Sequence, residues 1–158
     1  MKIFIISLPK SKERASRINS MFQRLEVNYE FFTAIDPHEP ITKIINPSIA
    51  KSVQMTLDQL DTRLKFRSRK LTLGEVGCFA SHQSLWYKCV ELNQPILILE
   101  DDIDITNDFK SFLNEISNIT LKLGYLRLTK GNDRKYIRLN KHTIKYLKGP
   151  SLAAAYAI

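Results

Sequence analysis

Residues 95–104 read PILILEDDID, and the two halves of this stretch differ in kind. Pro95 to Leu99 are apolar throughout, whereas Glu100 to Asp104 carry four carboxylates around Ile103. A short apolar run of this sort reads as a strand buried on both faces, as in the middle of a parallel sheet. The acids then lie where the strand leaves the sheet, the place where ligands bind in open α/β folds. Crowded carboxylates repel one another. A divalent cation relieves that repulsion, and hard oxygen donors suit magnesium or manganese. If the chain stays extended, Glu100 and Asp102 share one side and Asp101 faces the other. Asp102 and Asp104 also form a D-x-D, and the sequence leaves both pairings open. The plainer alternative is a solvated acidic loop ahead of the next helix. Against it stands the setting: a buried strand in a chain that is otherwise basic.

The 158 residues suit a single domain, 1–158, with a sizeable core. A hydrophobic content of 44% and a charged content of 25% are those of a globular protein. The net charge is +8, and from Leu121 onward nine Lys and Arg face one acid, Asp133. This asymmetry suggests an anionic partner, such as a nucleotide, a membrane surface or a nucleic acid, with a solvated basic face and no partner as the alternative for any single cluster. Cys78 and Cys89 would lie about 16 Å apart on one helix, too far for a disulfide, which fits a reducing compartment. The opening MKIFIISLPK has too short an apolar core for a signal peptide, and Pro9 and charges follow it. No segment approaches the roughly 20 apolar residues of a membrane span.

The pattern predicts a first strand over Lys2 to Leu8, stopped by Pro9. A helix from Ser11 to Glu26 follows, with Ser11 as N-cap and Ala15, Ile18, Phe22 and Leu25 at helical spacing. Arg14 and Arg17 sit early in it, within reach of the end of the first strand. Asn28 to Ile35 reads as a second strand, completing an opening of the α/β type. From 41 to 71, Asn46 and Pro47 open a helical stripe, and Arg63, Lys65, Arg67, Arg69 and Lys70 form an exposed basic run. Thr72 to Asn93 is the clearest helix, opened by a capping box of Thr72 and Glu75. Its apolar residues cover much of its circumference, with Val76, Phe79, Trp86 and Val90 as the main stripe, so it is expected to pack between layers. Ser81 and His82 are then polar groups on a largely buried helix. After the acids, Thr106 or Asn107 caps a helix to Ser117. A strand from Gly124 to Thr129 and a hairpin of Tyr136 to Leu139 with Thr143 to Leu147, turning at Asn140 and Lys141, follow. The apolar end, Ser151 to Ile158, looks cut inside a fold. No P-loop, G-x-S-x-G or zinc-type Cys/His spacing is evident.

Three stretches together resemble glycosyltransferase family 25, the family of bacterial lipooligosaccharide galactosyltransferases. They are the helix LTLGEVGCFASHQSLW, the strand end PILILEDDIDI and the opening IFIISLPKSKERASRI. FFTAID resembles the family's next strand, so the likeness runs from Lys2 to about Asp104. It implies a GT-A-like, Rossmann-related α/β sheet flanked by helices and incomplete at the C-terminus. It also implies UDP-galactose as donor, Mn2+ or Mg2+, a lipooligosaccharide glycan as acceptor, and inversion at the anomeric centre. Glu100, Asp101 and Asp102 carry over as the metal and diphosphate site, with Glu100 and Asp102 as metal ligands. Arg14, Arg17 and Ser81 carry over near the nucleotide. Asp104 and His82 are the candidates present for the base that takes the acceptor's proton, the alternative being a base beyond Ile158. Ser7 stands where the family usually has Asn. The implied setting is cytoplasmic, at the inner face of the membrane, with peripheral contact through basic surface.

Three other classes compete. A truncated, non-catalytic remnant would bind UDP-sugar and metal without transfer. A phosphoacceptor module would need acids after the first strand, where Ser7, Leu8 and Pro9 stand instead. A nucleic-acid binder would suit the charge, but no motif supports it, and no nucleic-acid partner is expected.

Overall fold

The computed structural model describes residues 1–36, 72–124, 126–128, 136–138, 144–146 and 155–158, with residues 38, 51 and 54. The helical stripe and basic run read between 41 and 71 lie outside the described residues.

The chain opens with strand β1, Lys2–Ser7, helix α1, Lys12–Leu25, and strand β2, Glu30–Thr33. Helix α2, Leu73–Leu92, leads into strand β3, Ile96–Glu100, and helix α3, Phe109–Leu123, follows the acids. Short strands close the order: β4, Leu126–Arg127; β5, Tyr136–Arg138; β6, Ile144–Tyr146; and β7, Ala155–Ala157. The main sheet runs β2-β1-β3-β7-β4. Strand β1 lies parallel to both β2 and β3, with Phe4 opposite Glu30 on one side and Ile98 on the other. Strand β7 runs antiparallel to β3 and β4. The hairpin expected from the late sequence is present as the antiparallel β5–β6 pair, Tyr136 opposite Tyr146. Its turn lies outside the described residues.

The reason for this arrangement is visible in the strands. Ile3 to Ser7 and Ile96 to Leu99 are buried without a break, as they must be when both faces of a parallel sheet are covered. The pleat then divides them. Ile3, Ile5, Leu97 and Leu99 pack with Ile18, Phe22 and Leu25 of α1 and with Phe109 and Ile116 of α3. Phe4, Ile6, Ile96 and Ile98 pack on the opposite face with Leu85 of α2. The result is a Rossmann-like α/β layering in which the chain steps from β1 out to β2, then back across β1 to β3. The order therefore reverses between β1 and β3, and the crevice at such a switch point is the binding place of the fold class.

Helix α2 is set as its sequence requires. Thr72 Oγ1 accepts from the Glu75 amide at 3.2 Å, and Glu75 Oε2 accepts from the Thr72 amide at 2.8 Å. Replacing Thr72 with alanine is expected to cost about 1 kcal/mol in urea unfolding. The helix is not packed between layers, however. Phe79, Trp86 and Val90 are 41%, 40% and 77% exposed. The face against the sheet is Val76, Gly77, Ala80, Ser81, Ser84 and Leu85. Small residues let the helix lie close upon the bulky side chains of β1 and β3, which turns the aromatic stripe outward. The buried hydroxyls of Ser81 and Ser84 donate to the carbonyls of Gly77 and Ala80, each at 2.8 Å.

Other boundaries shift for local reasons. Ser11 occupies the N-cap of α1 without a side-chain cap bond, and the left-handed Glu26 ends that helix. Helix α3 starts after Asp108, not Thr106 or Asn107, and continues past Ser117 to Leu123. Weak helix formers at 117–120 are overridden because Ile119 and Thr120 extend the stripe of Phe112 and Ile116 over the core. Gly124, at a φ of 73°, stops it. Among the described residues no helix is long and apolar enough to cross a membrane.

Candidate active site

The end of β3 hands its first two acids to opposite faces of the sheet. Glu100 follows the parity of Ile96 and Ile98 and faces α2; Asp101 follows Leu97 and Leu99 and faces α1.

On the α1 side, Asp101 is only 6% exposed. Its Oδ2 accepts from Ser7 Oγ at 2.7 Å, and its Oδ1 accepts from Arg14 Nη1 at 3.0 Å. Arg17 reaches further along the same loop. Its Nη1 donates to Asp104 Oδ1 at 2.6 Å, and its Nη2 donates to the Ile103 carbonyl at 3.0 Å. The two arginines expected beside a nucleotide are thus at the switch point, but both hold the acidic loop. The D-x-D reading separates in the same way, since Asp104 is paired with Arg17 while Asp102 is exposed.

On the α2 side, Glu100 Oε1 lies 2.9 Å from His82 Nε2 and 3.9 Å from Cys78 Sγ. A carboxylate accepts, so the imidazole N–H and the thiol are the donors. Cys78 and His82 are four residues apart and share one helix face. Partial burial of the sulfur, and next the Glu100 carboxylate beside it, push the Cys78 thiol up to about 11. Asp102 and Glu75 add to that push. His82 is buried, and its Nε2 contact holds the Glu100 carboxylate in place.

Ser81 corrects an expectation. It is 0% exposed, its Oγ accepts from the Ile35 amide at 2.8 Å, and it donates to Gly77. It has no surface to offer a nucleotide and instead clips α2 to the chain after β2. Asp101 likewise has both carboxylate oxygens engaged, whereas Asp102 and Asp104 are exposed and Glu100 is partly so. Their oxygens suit magnesium or manganese. Cys78 was not singled out by its sequence pattern as a ligand, because tandem Cys/His spacings do not cover a Cys and His one helical turn apart completed by a distant Glu. Cys78 and Cys89 are free thiols, as their spacing required.

Fold and site together define a Rossmann-like α/β protein with acids gathered at the switch point of its sheet. The chain belongs to glycosyltransferase family 25, described as LPS biosynthesis proteins, whose family model matches residues 1–153. It is 32% identical over 113 residues to the lipooligosaccharide biosynthesis protein lic2B of Haemophilus influenzae, covering 71% of this chain and 37% of that protein. It is 30% identical over 116 residues to human procollagen galactosyltransferase 2, covering 73% of this chain and 18% of the relative. It is 29% identical over 127 residues to a rat protein described as a probable inactive glycosyltransferase 25 family member 3, covering 78% of this chain and 21% of the relative. The chain therefore spans well under half the length of these relatives.

Proposed function

We propose that this chain binds the donor for a glycosyltransferase that moves galactose from UDP-galactose to a lipooligosaccharide sugar with inversion. The observation that carries this reading is the separation of the acids at the end of β3. Asp101 is committed to Ser7 and Arg14, while Glu100, held by His82, and the exposed Asp102 remain to hold Mn2+ or Mg2+. The family, and relatives described by lipooligosaccharide biosynthesis and by galactosyl transfer, support the substrate classes.

In this mechanism Glu100 and Asp102 would hold the cation, which would supply positive charge against that developing on the departing diphosphate. His82 orients Glu100. In this reading His82 therefore serves the leaving group and not the attacking hydroxyl. Asp104 is the remaining candidate for the base: its Oδ1 is paired with Arg17, but its side chain is 88% exposed to an incoming acceptor. Arg14 and Arg17 keep the acidic loop in register. The acceptor belongs to the cell envelope, so the reading includes cytoplasmic work at the membrane's inner face, with basic surface meeting anionic lipid.

The test is calorimetric titration of UDP-galactose with manganese and again with EDTA, followed by a transfer assay on lipooligosaccharide. Metal-dependent binding with transfer supports the reading in full. Binding without transfer favours a non-catalytic binder, the reading that the probable inactive relative makes specific. Absence of binding by folded protein overturns both.

A further inference from the structure

We infer that Cys78, His82 and Glu100 form a binding site for a thiophilic divalent cation, with zinc as the fitting ion. This goes beyond the magnesium or manganese role proposed above, though it shares Glu100 with it.

The first observation is convergence. Sγ of Cys78, a ring nitrogen of His82 and a carboxylate oxygen of Glu100 all lie within 4.8 Å of one another. The individual separations from Glu100 Oε1 are 2.9 Å to His82 Nε2 and 3.9 Å to Cys78 Sγ. A tetrahedral zinc with bonds of about 2.0–2.3 Å places its donors about 3.3–3.7 Å apart. The two separations from Glu100 straddle that spacing, so modest side-chain adjustment opens room for the ion.

The second observation is the donor chemistry. One sulfur, one imidazole nitrogen and one carboxylate oxygen are a zinc set; magnesium and manganese prefer oxygen throughout. The scaffold is also suitable. Cys78 and His82 are presented by adjacent turns of the twenty-residue helix α2, and Glu100 ends a strand hydrogen-bonded on both sides. His82 is buried, whereas Cys78 is exposed. The site therefore has a rigid floor and an open outer side, which leaves the fourth position to water or a ligand oxygen.

The consequence is a choice of cation at one carboxylate. With zinc on Cys78, His82 and Glu100, the Glu100 carboxylate is withdrawn from an oxygen-bound ion shared with Asp102. Zinc is then an antagonist of manganese-dependent donor binding, acting through a residue, Cys78, that donor binding itself does not use.

The experiment is titration of the protein with Co2+, and then displacement by Zn2+, in the absence of nucleotide. The expected result is one cobalt per chain with an intense thiolate-to-cobalt charge-transfer band, lost as zinc is added. Cys78→Ser is expected to abolish the band and to weaken zinc at least about a hundredfold, since even outer-shell partners of a metal site are worth 10–100-fold. Cys89→Ser is expected to keep both. Cobalt binding without a thiolate band, or a band that survives in Cys78→Ser and vanishes in Cys89→Ser, overturns the inference. Because no nucleotide is present, these outcomes are independent of the donor-binding reading. That reading is checked separately by manganese-dependent UDP-galactose binding, which Cys78→Ser is expected to retain.

Discussion

Asp102→Ala is expected to lose manganese-dependent binding of UDP-galactose, by about a hundredfold or more, while its urea unfolding curve stays within about 0.5 kcal/mol of the parent. Both halves follow from position. Asp102 is exposed just beyond the end of β3, so its carboxylate contributes little to packing. It is also the acid left beside Glu100 once Asp101 and Asp104 are taken by arginines. Loss of one of two carboxylate ligands removes charge and geometry together from an ion that must also meet a diphosphate. Calorimetry in manganese, against the same titration in EDTA, reads the first half; denaturant unfolding reads the second. Undiminished binding would remove Asp102 from the donor site.

The neighbouring substitution is expected to behave in the opposite way. Asp101→Ala should destabilise the protein by about 2 kcal/mol. The side chain is 6% exposed and accepts from Ser7 at 2.7 Å and Arg14 at 3.0 Å. Most of the loss is assigned to Ser7, whose buried hydroxyl is left without its short bond. The Arg14 contribution is smaller because that side chain is 55% exposed and screened. Asp101→Asn keeps the shape and part of the bonding, so it should lie between Asp101→Ala and the parent. Equilibrium urea unfolding checks the order. An unchanged midpoint in Asp101→Ala would show that the contact between β1, α1 and the acidic loop carries no stability.

These two acids show where sequence is informative and where it stops. The strand and its acidic end are local: an apolar run and a parity rule separate Glu100 from Asp101 before any packing is known. The capping box of Thr72 and Glu75 is equally local, and the structure contains it. What parity could not supply was the identity of the groups arriving from elsewhere. Ser7 and Arg14 meet Asp101 across some ninety residues of chain, and Arg17 meets Asp104 and the Ile103 carbonyl, so both arginines read as nucleotide contacts are engaged with the acidic loop. The same limit hid the cluster on the other face. Cys78 and His82 are visibly one turn apart, but only the sheet delivers Glu100 to them. Helix α2 failed differently. Its apolar residues ring the helix, so composition favoured burial all round. The small residues Gly77, Ala80, Ser81 and Ser84 chose the inner face, and Phe79, Trp86 and Val90 were left outside.

The seating of β3 also constrains the order in which the molecule can assemble. Strands β1 and β2 are joined through one short helix and can pair early, as a nearly local unit. Strand β3 must find β1 across about ninety residues and β7 across about sixty. Closing loops of that length precedes any reward from the contacts they make, so this step is expected to be slower than the pairing of β1 with β2. Asp101 and Asp104 acquire their partners on β1 and α1 only in that step. A partly folded chain, with β1, α1 and β2 already docked, therefore lacks the assembled acidic loop, and any ligand of that loop can favour only the completed sheet.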